Sequence, residues 1–195
     1  MAAAPVAVPA RVAEGAGPSP AVPVAVDAMD WPELNAAIAA CRKCVLCEQR
    51  RQAVPGIGDR NPVWLFVGEG PGAEEDAQGE PFVGQAGKLL DAMLAALGLR
   101  RGEKVYIANA VKCRPPGNRT PEAGEMASCR PWLERQIELL RPQVIVLLGK
   151  AAVHSVLRDD HALGALRGKR FDWRGIPVVV TYHPAYLLRN LPDKS

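Results

Sequence analysis

The residues of this 195-residue chain best suited to chemistry are five cysteines, a glycine-rich acidic loop and a late histidine. Cys41-x-x-Cys44 is tight enough to chelate, Cys47 repeats the step of three, and 15 residues separate Cys113 from Cys129. The N-terminus has no basic stretch followed by an apolar block, so neither an export signal nor a disulfide framework is expected. Four thiolates suit either a structural zinc or a [4Fe–4S] cluster. Zinc sites more often use two Cys-x-x-Cys knuckles; a single tight pair leans to the cluster without deciding. On one continuous helix, steps of three drift around the axis, so Cys41, Cys44 and Cys47 need not face one site.

The second candidate is Gly68-Glu69-Gly70-Pro71-Gly72-Ala73-Glu74-Glu75-Asp76, followed by Gly79-Glu80-Pro81-Phe82-Val83-Gly84. It lacks the Lys-Ser/Thr of a P-loop and the register of a dinucleotide fingerprint, and its acids would repel a polyphosphate. A neutral ligand is the better fit, met by backbone N–H groups and one or two carboxylates. Phe82 offers a ring face to a flat ligand, though a core phenylalanine would look the same. The third is His183-Pro184-Ala185-Tyr186-Leu187-Leu188-Arg189-Asn190. Leu187 and Leu188 suit either a wedge between base pairs, with Arg189 on phosphate, or the core contacts of a short helix. Lys112, Arg114 and Arg119 form one basic cluster and Arg167, Lys169 and Arg170 another, read equally well as solvated surface.

The elements that must position these groups are legible in the periodicity. Trp31, Leu34, Ile38, Cys41 and Val45 predict a helix from Trp31 to about Arg50. Val63–Val67 predicts a buried strand ended by Gly68, and Val105–Val111 and Val144–Leu148 predict two more. Helices are expected at about 85–97, from a Thr120 N-cap and Pro121 to about Leu140, and through Leu157. Arg170–Trp173 and Ile176–Thr181 read as a hairpin about Arg174-Gly175. Apolar strands alternating with amphipathic helices imply an α/β fold, a three-layer α/β/α sandwich with a mostly parallel central sheet. Ligands then bind at the carboxyl ends of the strands, where the loops after Val67, Ile107 and Thr181 can converge on one cleft.

Composition bounds this reading. Residues 1–28 hold 21 Ala, Val or Pro and no aromatic residue, and read as a disordered leader to a domain at 29–195. The net charge of +3 permits nucleic-acid binding without requiring it. No apolar run is long enough to cross a bilayer, so a monomeric cytoplasmic protein without a membrane partner is expected.

Taken together, these segments resemble the family 4, iron–sulfur, uracil-DNA glycosylases. The resemblance rests on Cys41-x-x-Cys44, Gly68-Glu69-Gly70-Pro71-Gly72 with Glu75-Asp76, Pro81-Phe82-Val83-Gly84-x-Ala86-Gly87-x-Leu89-Leu90, Asn109-x-x-x-Cys113-Arg114-Pro115-Pro116 and His183-Pro184-x-Tyr186-Leu187-Leu188. Each segment is weak alone; all of them in this order are specific. The resemblance implies excision of uracil from DNA in base-excision repair, with uracil-containing DNA as partner. It implies a [4Fe–4S] cluster on Cys41, Cys44, Cys113 and Cys129, leaving Cys47 spare. It matches Glu69, Glu75 and His183 to catalysis and Gly70, Phe82, Asn109 and His183 to the base. Arg114, Leu187, Leu188 and Arg189 are the residues expected on DNA. Family members run on into a further helix beyond Leu191–Ser195. The alternative from another class is a non-catalytic DNA-binding protein with a structural metal cluster, which would need none of Glu69, Asn109 and His183.

Overall fold

The computed structural model describes residues 25–194. Most of the expected leader therefore lies outside the described residues; Val26–Ala28 form a 3-10 turn, and Val26 and Met29 pack on the core. Six strands make one sheet: β1 (Ile57–Gly58), β2 (Trp64–Gly68), β3 (Val105–Asn109), β4 (Val144–Leu148), β5 (Arg170–Trp173) and β6 (Ile176–Thr181). Their order is β1-β3-β2-β4-β6-β5. The four central strands are parallel, and β1 and β5 close the edges antiparallel. Beside them stand helices α1 (Trp31–Ala40), α2 (Leu46–Gln49), α3 (Ala73–Gln78), α4 (Gln85–Ala96), α5 (Ala123–Leu140), α6 (Lys150–Leu157), α7 (Leu163–Leu166) and α8 (Pro184–Arg189).

The near-continuous apolar strands are explained by helices on both faces. Side chains alternate along each strand, so Leu65, Val67, Tyr106, Ala108, Ile145 and Leu147 enter one core with Leu133 and Ile137 of α5. Their neighbours Phe66, Val105, Ile107, Val146 and Leu148 enter the other with Leu90 and Leu94 of α4. This is the expected three-layer sandwich. From β2 the chain crosses to β3 on one side, and from β4 it crosses to β6 on the other. The switch point between β2 and β4 leaves a crevice at their carboxyl ends. The β5–β6 hairpin turns at Arg174 and Gly175, both at positive φ (49° and 88°), as a right-twisted two-residue loop requires.

Two expected elements differ. The helix predicted from Trp31 to Arg50 breaks at Cys41, which is extended (φ −60°, ψ 133°). Arg50 fastens the break by donating to the carbonyls of Ala39 (2.7 Å) and Cys41 (3.1 Å), where a cation favours the end of a helix. The cysteines are thus freed from helical spacing. The helix expected from Thr120 begins at Ala123 instead, because Glu122 and Glu125 form a capping box and Arg119 grips Glu125 at 2.6 Å. No helix among the described residues is long and apolar enough to cross a membrane.

Candidate active site

A cleft of about 710 Å³ opens at the switch point, between the loops that follow β2, β3, β4 and β6. Its walls include Glu69, Gly70, Phe82, Asn109 and His183, so the three loops expected to converge do so. Gly68 makes the convergence possible: a Cβ there would collide with both the Phe82 ring and Asn109 Oδ1. The loops after β2 and β3 are also zipped together, Ala110 donating to Gly68 O (2.9 Å) and Val111 to Glu69 O (3.1 Å).

Phe82 is buried and sits at φ +57°, a left-handed conformation that costs a bulky residue about 1–3 kcal/mol. The surroundings impose it. Arg101 donates to the carbonyls of Pro81 and Phe82 and pairs with Asp91 of α4. A side chain on Gly87 would run into the Phe82 carbonyl. Glu75 fixes the far side, its Oε1 accepting from Val83 and Gly84 N–H (both 3.0 Å) and its Oε2 from Gly72 N–H (3.0 Å). Phe82 is thereby held against His183, ring centres 5.4 Å apart and 26° from parallel.

His183 caps α8, its Nδ1 accepting from Ala185 N–H at 3.1 Å. That bond assigns the proton of the neutral ring to Nε2, which is left as a donor. Burial, reinforced by Arg189, lowers the His183 pKa from 6.5 to about 4, with Glu75 pulling the other way, so the ring is neutral at pH 7. Burial also raises the pKa of Glu69, opposed by the Thr120 hydroxyl and Arg189. Asn109 is 2% exposed, and its Oδ1 has no hydrogen-bond partner among the described residues. A buried, unpaired acceptor is expensive unless a ligand fills it.

The remaining site residues divide. Arg189 lines the cleft, whereas Arg114 bonds Asn118 Oδ1 at 2.7 Å. Leu188 is 40% exposed and Leu187 only 7%, so of the two only Leu188 stands free on the surface. Lys112, grouped by sequence with a basic surface cluster, is buried instead. Its Nζ donates to Asn109 O (2.8 Å) and Gln136 Oε1 (2.7 Å), and its backbone N–H points at Cys129 Sγ (3.2 Å). Its position three after Asn109 and next to Cys113 was the only sign of this in the sequence.

All five cysteines line one small cavity behind the β3 loop. Among the described residues no three of His, Cys, Asp or Glu converge closely enough to hold a single metal ion. Arg50 Nη1 donates to Cys113 Sγ at 2.8 Å. Burial raises the pKa of Cys113 despite Arg50, and that of Cys129 to about 12.

An open α/β sheet with a cleft at its switch point, holding one buried amide, one neutral histidine and a carboxylate, defines a class of enzyme. The chain belongs to the uracil DNA glycosylase superfamily, which it matches over residues 55–195. Within that superfamily its relatives point to the type-4 branch. It is 46% identical over 170 residues to the type-4 uracil-DNA glycosylase of Pyrobaculum aerophilum, covering 83% of this chain and 86% of that one. It is 48% identical over 152 residues to that of Thermotoga maritima (77% and 79%). The type-5 uracil-DNA glycosylase of Mycobacterium leprae is more distant, 32% identical over 195 residues (79% and 84%).

Proposed function

We propose that this protein is a uracil-DNA glycosylase that takes uracil out of single- or double-stranded DNA and hydrolyses its N-glycosidic bond, leaving an abasic site for base-excision repair. It acts as a cytoplasmic monomer. The observation that carries this reading is Asn109 Oδ1, which has no partner among the described residues and is buried in the cleft beside the Phe82 ring. Such an acceptor calls for a flat ligand bearing an N–H.

Extruding a base costs a few kcal/mol, and stacking on Phe82 recovers part of it. Asn109 Oδ1 accepts from uracil N3–H while its amide donates to O4. Cytosine, with an unprotonated N3 and an amino group at C4, leaves both groups unpaired; a site built this way can reject the wrong base by about 10⁴–10⁵. As the bond breaks, negative charge spreads over N1, O2 and O4. The neutral His183 ring directs Nε2–H at O2, aided by the Gly70 backbone N–H; one such donor is worth about 2.7–4 kcal/mol. Water delivers hydroxide to the sugar C1′ and a proton to the departing base. Glu69 stabilises the cationic sugar or orients that water. Glu75, its oxygens occupied by three backbone N–H groups, acts as a positioning residue.

The cysteine cavity supports a [4Fe–4S] cluster on Cys41, Cys44, Cys113 and Cys129, with Cys47 as the spare thiol. When bound, the cluster ties the chain after α1 to the β3 loop and α5; the chemistry of base release stays with the cleft. Lys112, between the two sites, fixes the backbone of Asn109.

The reading is tested with uracil-containing single- and double-stranded oligonucleotides, scored by cleavage at abasic sites. Wild-type protein releases uracil from both, and Asn109→Ala and His183→Ala lose about 100-fold or more with their folds intact. Wild-type-like release by both variants would sink the site assignment.

A further inference from the structure

Beyond the groups that handle uracil, the same cleft is lined by Tyr182, Tyr186, Leu163 and Gly164, and by Lys150 and Arg189. At about 710 Å³ the whole cleft has the size that takes a drug-sized ligand, more than one pyrimidine needs. Tyr182 and Tyr186 are in ring contact, centroids 4.8 Å apart and 31° from parallel. The Arg167 guanidinium lies 4.0 Å from the Tyr182 ring centre. Two tyrosine rings of the cleft lining thus adjoin, and a guanidinium covers one of them.

The column is held before any ligand arrives. Tyr186 donates its hydroxyl to Asp193 Oδ2 (2.7 Å), and its carbonyl accepts from the Asn190 side chain (3.0 Å). Tyr182 is anchored by its neighbours, Thr181 at the end of β6 and the helix-capping His183. Rings fixed in this way lose little freedom on binding. None of Tyr182, Tyr186 and Arg167 is used by base release, and both tyrosines are half-buried and line the cleft. Tyrosines stacked beside lysine and arginine form the surface that single-stranded nucleic acid recognises: bases on the rings, phosphates on the cations.

We propose that Tyr182, Tyr186 and Arg167 form a subsite for the nucleobase next to the extruded uracil in the strand, with Lys150 on the intervening phosphate. The subsite rests on the glycosylase reading and deepens it. When uracil leaves the stack its neighbour loses a partner; the tyrosine column replaces it. Stacking accepts any base, so the subsite raises affinity for uracil-bearing strands without imposing a sequence preference.

The test is a cycle between protein ring and DNA base. Wild-type protein, Tyr186→Ala, Tyr182→Ala and Tyr186→Phe are assayed on a single-stranded oligonucleotide containing deoxyuridine. They are assayed again on versions in which the nucleotide 5′ or 3′ to it is an abasic spacer. We expect the alanine variants to raise KM about 10-fold on the intact strand with kcat little changed, and Tyr186→Phe, which keeps the ring but loses the bond to Asp193, to raise it less than Tyr186→Ala. On one of the two spacer substrates, wild type and alanine variants should become equal, because the base they would contact is gone. If the alanine variants lose the same factor on every substrate, or none on any, while wild-type protein releases uracil, the subsite is overturned alone. If wild-type protein releases no uracil, the glycosylase reading falls and takes the subsite with it.

Discussion

His183 and Glu69 are half-buried in the same cleft, and loss of solvent moves them in opposite directions: the histidine pKa down to about 4, the carboxyl up. As pH falls, Glu69 therefore takes its proton first, and the acid limb of the activity profile belongs to it. Single-turnover uracil release should fall with pH in the wild type and lose that limb in Glu69→Gln; an unchanged limb would reassign it. The histidine appears in stability instead. An unfolded His183 protonates at about 6.5 and the folded one only at about 4, so the unfolded chain binds the extra proton in that window. Wild-type stability should drop from pH 6.5 to 4 by on the order of 2–3 kcal/mol more than that of His183→Asn, measured by urea unfolding.

At the scale of elements, the short α3 and the loop after it are organised by one carboxylate. Glu75 ties the N-terminal end of α3 to the Phe82 segment. Hydrogen bonds to a charged group are worth about 1.5–3 kcal/mol each, and an amide cannot accept at all the positions Glu75 fills. Glu75→Gln should therefore lower stability and weaken inhibition by free uracil together. Glu69→Gln should cut kcat while free uracil still binds. Matching effects of the two variants would show that the division of roles is wrong. The α8 leucines separate in the same way. Leu187→Ala should cost about 2–5 kcal/mol of stability, as a buried leucine does. The exposed Leu188→Ala should leave the melting temperature alone and impair duplex substrates more than single-stranded ones.

For the whole molecule, the cysteine cavity joins three stretches distant in sequence: Cys41–Cys47, Cys113 and Cys129. Arg50 and Lys112 place positive charge at its wall, where thiolates need it. The two acceptors of Lys112 are neutral; burial lowers its pKa to about 8, and negative charge on Cys129 and Cys113 works the other way. Purified protein should be brown with four irons per chain if a [4Fe–4S] cluster is bound. Cys47→Ser should keep both colour and iron content, whereas Cys113→Ser should lose them and melt at lower temperature. Iron lost equally from both variants would remove Cys47 from its spare role.

Much of this was legible in the chain. The strands around Val67, Ile107 and Leu147 and the α4 stripe of Leu90 and Leu94 follow from local periodicity, because burial on a face repeats every two or 3.6 residues. The order of the motifs carrying Glu69, Phe82, Asn109 and His183 was enough to indicate the superfamily and a cleft at the strand ends. Contacts between distant residues decided the rest. The helix breaks at Cys41 because Arg50 draws back to it, and no periodicity encodes that bond. Lys112 is buried because Gln136, 24 residues on, accepts a hydrogen bond from its Nζ, although composition alone places a lysine on the surface. Glu75 differs from Glu69 only in which backbone N–H groups surround it, and Leu187 from Leu188 only in which way one turn of α8 faces. Sequence determines which chemical groups are available and roughly which strand ends carry them; packing decides which are turned inward, and that assigns their work.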